Sequence, residues 1–410
     1  MGETNPARNS KCSYFFLLGF IGSLLLQSAS GRELVFVLLI YRHGDRSPIE
    51  VYPNSLHNES AWPQGFGQLT KIGMQQQYEL GKYIKKRYSN FLSAEYKREE
   101  ILIQSTESDR TIMSAQANLA GMYPPTVVSF LFQKLRYPIL NCPRYLELLK
   151  ETMHSSEFQA KIQPYKVLCA GLGMGIVVMC FFLLQSIHNL TLPVWATKEV
   201  RAKLAELTVL SLSSLFGIYK REEKARLQGD PIHSLANLRP NLPLEAAFIH
   251  NTLQMYVWVS FSQHDTTLGA LQMALNIYNE KLPPYAACQF FELYQEDNGQ
   301  QTVEMYFRNH TMKDPYQQTL PGCSSACPLP KFADLVSPIL VDDWFCLPSS
   351  DVITSTNMIG CVALHCDFIL FHCIVPQLAG DHPENAVIRS HKRGANCGSR
   401  RERKSNNKYE

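Results

Sequence analysis

The feature that most constrains this chain is the run from Leu34 to Tyr41, LVFVLLIY, which breaks without transition into Arg42-His43-Gly44-Asp45-Arg46. Successive apolar and aromatic residues cannot alternate between a core face and a wet face. The run therefore predicts a strand, beginning at Glu33, that is buried on both faces of a parallel sheet with helices on either side. Two arginines crowded against a histidine are unfavourable on a surface loop, because each guanidinium disfavours the imidazolium. The same crowding is useful where an anion binds.

Two further stretches repeat this plan. Glu100 to Thr106, EILIQST, runs into Glu107-Ser108-Asp109-Arg110 and then into TIMSAQANLAGMY, which is rich in helix formers. Met255 to Ser262, MYVWVSFS, runs into Gln263-His264-Asp265-Thr266-Thr267 and then LGALQMALNIY. After the first strand, the stretch Gly67 to Leu92 sets Leu69, Ile72, Tyr78, Leu80, Tyr83 and Tyr88 at a roughly helical period, predicting a helix over the sheet. Its tyrosines read as core or subunit-contact residues. Three strand-loop-helix units predict an α/β fold whose ligand lies beyond the carboxyl ends of the strands. Trp195 to Gly229 is the longest proline-free helical candidate and suggests a helical insertion. The expected organisation is a discontinuous core, residues 32–122 and 245–348, with a smaller helical domain at 123–244.

The chain has 410 residues, 45% of them hydrophobic, enough for one large or two unequal domains. Its formal charge of +3 is concentrated in the last twenty residues, which hold seven Lys/Arg against two Glu. The rest sums to −2, so nothing resembles a nucleic-acid footprint. Arg8 and Lys11, the apolar core Tyr14 to Leu26 and the small residues Ser28-Ala29-Ser30-Gly31 read as a secretory signal over residues 1–31. Sequons at Asn58, Asn189 and Asn309 agree with that route, and twelve cysteines make disulfides the default. Cys323 and Cys327 bracket three residues in PGCSSACP and look like a local bridge. His57 and His188, in or beside sequons, read as surface residues.

The loops carry the chemistry. The first supplies Arg42, His43 and Arg46, the second Arg110, the third His264 and Asp265. Converging arginines offer rigid forks of N–H donors that suit phosphate oxygens. In their field His43 should stay neutral and nucleophilic even in mild acid. A carboxyl group beside a bound phosphate dianion has its pKa raised, which makes Asp265 the candidate proton donor for the leaving oxygen. The arginines supply the charge stabilisation that a metal provides elsewhere, so no metal or other cofactor is expected. His43, Asp45, His264 and Asp265 could be read as two metal-ligand pairs, but the neighbouring arginines oppose a cation. Asp45 reads instead as a residue that orders its loop.

Taken together, YRHGDRSP, WPQGFGQLT, STESDRTIMSAQANLAG, NCPRY, EKARLQG, SQHDTT, PPYAACQ, VEMYFRN and LPGCSSACPL resemble the histidine acid phosphatases of the prostatic and lysosomal type, over about Glu33 to Trp344. The resemblance implies a phosphoglycerate-mutase-like α/β core, with a mixed, mainly parallel sheet flanked by helices, plus the smaller helical domain. It implies that His43 forms a phosphohistidine, that Arg42, Arg46, Arg110 and His264 hold the phosphate, and that Asp265 protonates the leaving group. It further implies a homodimer acting on phosphomonoesters in acid, within the secretory pathway or lysosome. Cys142 with Cys346 and Cys323 with Cys327 are the disulfides it suggests.

The chain departs from that pattern in three places. A Trp-Gln-Pro-Ile-Pro-Val-His segment usual in such proteins is missing between Pro125 and Asn141. Val167 to Leu184 is eighteen residues without a charge, where relatives have a mixed stretch; it reads as a buried helix, a membrane span or a mis-spliced segment. Leu184 replaces the cysteine that would pair with Cys288, for which Cys180 is a substitute partner; Gln104 replaces an arginine. Met358 to Val375, before the basic tail, is either a membrane anchor carrying Asp367 or a variant tail within 349–410. These changes leave a second reading open: a weakly active glycoprotein that binds phosphorylated ligands without useful turnover.

Overall fold

β1 (Glu33–Arg42) lies inside the sheet, buried from Phe36 onward, because both of its faces are covered. The computed structural model describes residues 31–51, 55–123, 133–135, 143–166, 184–227 and 257–340. The stretch before Gly31 read from the sequence as a signal, Cys142, Cys180, Cys346 and the apolar stretches at 167–183 and 358–375 lie outside the described residues.

The other strands are β2 (Ile101–Thr106), β3 (Gln133–Leu135), β4 (Trp258–Gln263), β5 (Cys288–Gln295), β6 (Gln301–Arg308), β7 (Tyr316–Gln318) and β8 (Cys327–Pro328). Their order is β3-β2-β4-β1-β5-β6-β7, with β8 beside β6. The sheet is mixed, as expected. β3, β2, β4 and β1 run parallel, whereas β5 to β8 pair antiparallel, so the parallel half is not the larger one. The reason is local: a tight turn at Glu296–Gln300, with Gly299 at φ +80°, folds β5 directly back as β6.

The helices are α1 (Lys71–Arg87), α2 (Asp109–Met122), α3 (Pro143–His154), α4 (Ser156–Ile162), α5 (Lys198–Phe216), α6 (Arg221–Leu227), α7 (Asp265–Ala274) and α8 (Leu329–Val336). Side chains of β1 alternate between two cores. Val37, Leu39 and Tyr41 pack with Leu80 and Ile84 of α1 and Leu119 of α2. Leu38 and Ile40 pack with Leu268 and Leu271 of α7 and Phe332 of α8. Fully burying each such side chain is worth about 1.5–3 kcal/mol.

α1 starts later and ends sooner than its apolar period suggests. Thr70 caps its N-terminus, its hydroxyl accepting from the Gly73 N–H at 3.1 Å. Ile72 and Tyr78 are exposed, and the buried stripe is Gly73, Gln77, Leu80, Gly81 and Ile84. Close approach to α2 sets that stripe: a Cβ on Gly81 would fall 1.9 Å from the Asn118 carbonyl oxygen. The expected long helix at 195–229 is two helices. Gly217 caps α5, Tyr219 and Lys220 take left-handed backbone, and α6 turns back so that buried Lys224 donates to the Ser214 and Ile218 carbonyls at 2.9 and 2.8 Å.

Candidate active site

Three parallel strands end level with one another. Arg42 of β1 pairs with Gln263 of β4, and Ser105 of β2 with Ser262. The three charged loops therefore leave the sheet at the same height.

The first loop is fixed by its backbone. The Arg42 and His43 N–H groups donate to the Ala287 and Gln263 carbonyls, both at 2.9 Å, and the Arg42 carbonyl accepts from Gln77 at 2.8 Å. Ala286, in left-handed backbone at φ 57°, donates its N–H to the His43 carbonyl at 3.2 Å. Gly44 has no alternative. A Cβ there would lie 2.2 Å from the Gly73 carbonyl oxygen, so loop and helix touch backbone to backbone. Asp45 is buried and accepts at Oδ2 from Thr70 Oγ1 at 2.5 Å and from His188 Nε2 at 2.7 Å. It orders the loop, as expected, but through residues from other segments rather than through a local turn.

Above this frame stand the reactive groups. His43 Nδ1 is 2.7 Å from the Gly44 carbonyl oxygen. A carbonyl can only accept, so Nδ1 carries the proton and Nε2 keeps its lone pair. Arg42 donates from Nη1 to the Pro283 carbonyl at 2.6 Å, pairs through Nη2 with Asp265 Oδ2 at 2.7 Å, and stacks its guanidinium 4.1 Å from the Tyr285 ring centre. Arg46 donates from Nη1 to the Ser47 carbonyl at 2.8 Å. The Nε groups of Arg42 and Arg110 are buried with no hydrogen-bond partner among the described residues. Orphaned guanidinium donors are costly unless something anionic meets them. The His264 ring stands edge-on to His43 at 5.5 Å, and its Nε2 is 3.1 Å from Thr106 Oγ1. Asp265 opens α7, accepting at Oδ1 from the Thr266 N–H at 2.8 Å.

The electrostatics follow from this geometry. Burial, then Arg110, Arg42, His264 and Arg46, hold the His43 imidazolium pKa well below its usual value. Burial and Arg110 push that of His264 down to about 3, against the opposing pull of Asp265. Burial alone would raise the Asp265 pKa, but Arg42, Arg46 and His264 outweigh it and hold the carboxyl below its ordinary range. Burial and Arg46 lower Arg110 to about 10, which still leaves it charged in neutral and acid solution.

All six residues named from the sequence thus converge: Arg42, His43, Arg46, Arg110, His264 and Asp265. Cys323 and Cys327 form a disulfide, and Cys288 is a buried free thiol. Asn58, Asn189 and Asn309 are exposed. One reading is corrected: His188 is not a bystander on the surface but reaches the buried Asp45. Pro283 and Tyr285 escaped the sequence reading because they precede β5; the PPY turn was their only signal. Thr106 and Thr111, whose hydroxyls lie 2.8 Å apart, Gln77, and Ser114, whose Oγ accepts from the Gly44 N–H at 3.1 Å, escaped it because uncharged polar residues carry no pattern.

Residues 33–136 match the histidine phosphatase superfamily (branch 2). Prostatic acid phosphatase of Homo sapiens is 46% identical, over 82% of this chain and 93% of that protein. Lysosomal acid phosphatase of Xenopus laevis is 43% identical, over 81% and 83% respectively. Among solved structures, the apo form of Hafnia alvei phytase superimposes with a TM-score of 0.59 at 16% identity, covering 78% of this chain and all of that one; it speaks for the fold. The chain belongs to the histidine phosphatase superfamily, branch 2.

Proposed function

We propose that this acid phosphatase hydrolyses phosphomonoesters through a phosphohistidine on His43. The observation that carries the reading is the Nδ1 contact to Gly44, which leaves the Nε2 lone pair on an imidazole that the surrounding arginines keep neutral. In the first step Nε2 bonds to phosphorus as the ester P–O bond breaks, and Arg42, Arg46, Arg110 and His264 carry the charge on the phosphoryl oxygens. Asp265 gives its proton to the leaving oxygen. Asp265 is paired with Arg42. An incoming phosphate dianion competes for that guanidinium and raises the carboxyl pKa, so Asp265 takes up a proton from the acidic medium as the substrate binds. Water then attacks the phosphohistidine, returns a proton to Asp265 and releases inorganic phosphate with His43 restored.

The exposed sequons and the similarity to a lysosomal acid phosphatase support work within the secretory or lysosomal route. The test is phosphate release from an aryl phosphate near pH 5 by wild type, His43→Ala and Asp265→Ala. Equal rates in wild type and His43→Ala defeat the mechanism. Vanadate binding without turnover in the wild type supports the phosphate-binding glycoprotein instead.

A further inference from the structure

We propose that His188 is a positioning residue for the catalytic loop, acting through Asp45; the proposal rests on the phosphatase reading above. Asp45 lies between the nucleophile His43 and the phosphate-holding Arg46, with its side chain fully buried. Its carboxylate has two side-chain donors on Oδ2, the Thr70 hydroxyl at 2.5 Å and His188 Nε2 at 2.7 Å, while Oδ1 has no partner among the described residues. A carboxylate shut away from water depends on each donor it retains. His188 is therefore a structural need of the loop.

The way His188 is held shows that its reach is built in. It follows a helical turn that includes the buried Leu184 and Gln185, its N–H donating to the Leu184 carbonyl at 2.9 Å. Trp62, itself buried, sets its ring edge-on at 4.9 Å. Asn189 then turns outward in left-handed backbone, and the Thr191 carbonyl accepts from His57 Nε2 at 3.0 Å. Residues 188–191 thus form a strap sewn to the catalytic loop at one end and to the 55–61 loop at the other. Because a carboxylate only accepts, the proton on this bond belongs to His188 Nε2. The Thr70 and His188 bonds approach Asp45 from separate parts of the chain, so losing His188 lets Asp45 move and carry Arg46 with it.

The experiment compares full-length wild type with His188→Ala, His188→Gln, Asp45→Asn and the Asp45→Asn/His188→Ala double variant. Turnover of an aryl phosphate in acid, inhibition by orthovanadate and thermal unfolding are measured for each. His188→Ala should lower kcat about tenfold and weaken vanadate inhibition, with KM changed by less than about threefold. His188→Gln, which keeps an N–H donor within reach, should recover most of the lost kcat. In the Asp45→Asn background, His188→Ala should add little, the signature of a shared interaction. Unchanged kcat and vanadate inhibition in His188→Ala overturn the proposal, as does equal loss in the Ala and Gln variants, which would assign the effect to ring packing on Trp62. A wild type that binds vanadate without hydrolysis sinks the phosphatase reading but leaves the vanadate affinities of the same variants to decide on His188. If it binds neither substrate nor vanadate, both fall.

Discussion

Arg42 Nη2 and Asp265 Oδ2 meet at 2.7 Å, so a guanidinium proposed to hold phosphate is paired with the carboxyl proposed as the acid. On the proposed mechanism, substrate binding exchanges that pair for a pair with phosphate. Asp265→Asn is expected to reduce kcat on an alkyl phosphate by on the order of 10²- to 10³-fold, and less on a nitrophenyl phosphate, whose leaving oxygen needs little protonation. Steady-state kinetics on the two esters checks this; equal losses would remove Asp265 from the acid role.

Stability should depend on pH in a direction set by the buried histidines. The His43 and His264 pKa values are held down in the fold, so between the ordinary value near 6.5 and the lowered one the unfolded chain binds more protons. Stability should therefore fall as pH drops below about 6.5, with each group contributing a slope of up to about 1.4 kcal/mol per pH unit. Asp265, held below its ordinary range, adds to that loss only from about pH 4 downward. Thermal unfolding from pH 7 to 4 should show a shallower decline in His43→Ala than in wild type.

Gly44→Ala should abolish activity without unfolding the protein. The added methyl would sit 2.2 Å from the Gly73 carbonyl oxygen, so the loop must back away from α1 and take His43 and Arg46 with it. Displacement by about an ångström can cost on the order of 10²-fold in rate. Circular dichroism and a phosphatase assay on one preparation separate the two effects.

The fold was readable where burial left a pattern. LVFVLLIY announces β1 because two cores press on it, and every charged loop residue chosen from the sequence reaches one centre because β1, β2 and β4 end level. The site residues that escaped lie where chain direction reverses. β5 runs antiparallel to β1, so its beginning, not its end, reaches the site, and Pro283 and Tyr285 arrive ahead of a strand rather than after one. His188 escaped because a sequon neighbour looks solvent-facing in sequence, and only the path of the strap turns it inward. In α1 the apolar period misplaced Ile72 and Tyr78 because Gly73, Gln77 and Gly81, which carry no apolar signal, share the buried stripe with Leu80 and Ile84.

Glu292 should matter more to stability than to rate. It accepts from Arg87 Nη2 at 2.8 Å, Tyr88 at 2.5 Å and Tyr294 at 2.7 Å, tying the end of α1 to β5. Glu292→Leu leaves the Arg87 guanidinium without its carboxylate and is expected to cost about 3–5 kcal/mol, with Glu292→Gln milder. Urea unfolding at neutral pH measures both, and a cost below about 1 kcal/mol would contradict the assignment.

The ledge made by Arg42, Ser105 and Gln263 has a further implication for how such a chain tolerates rearrangement. Arg110 and His264 take their elevation from hydrogen-bonded neighbours in the sheet, not from the long excursion that joins β2 to β4. Changes within that excursion that spare the start of α2 and the His188 strap can therefore reshape what surrounds the proposed anion site while the cradle itself stays in place.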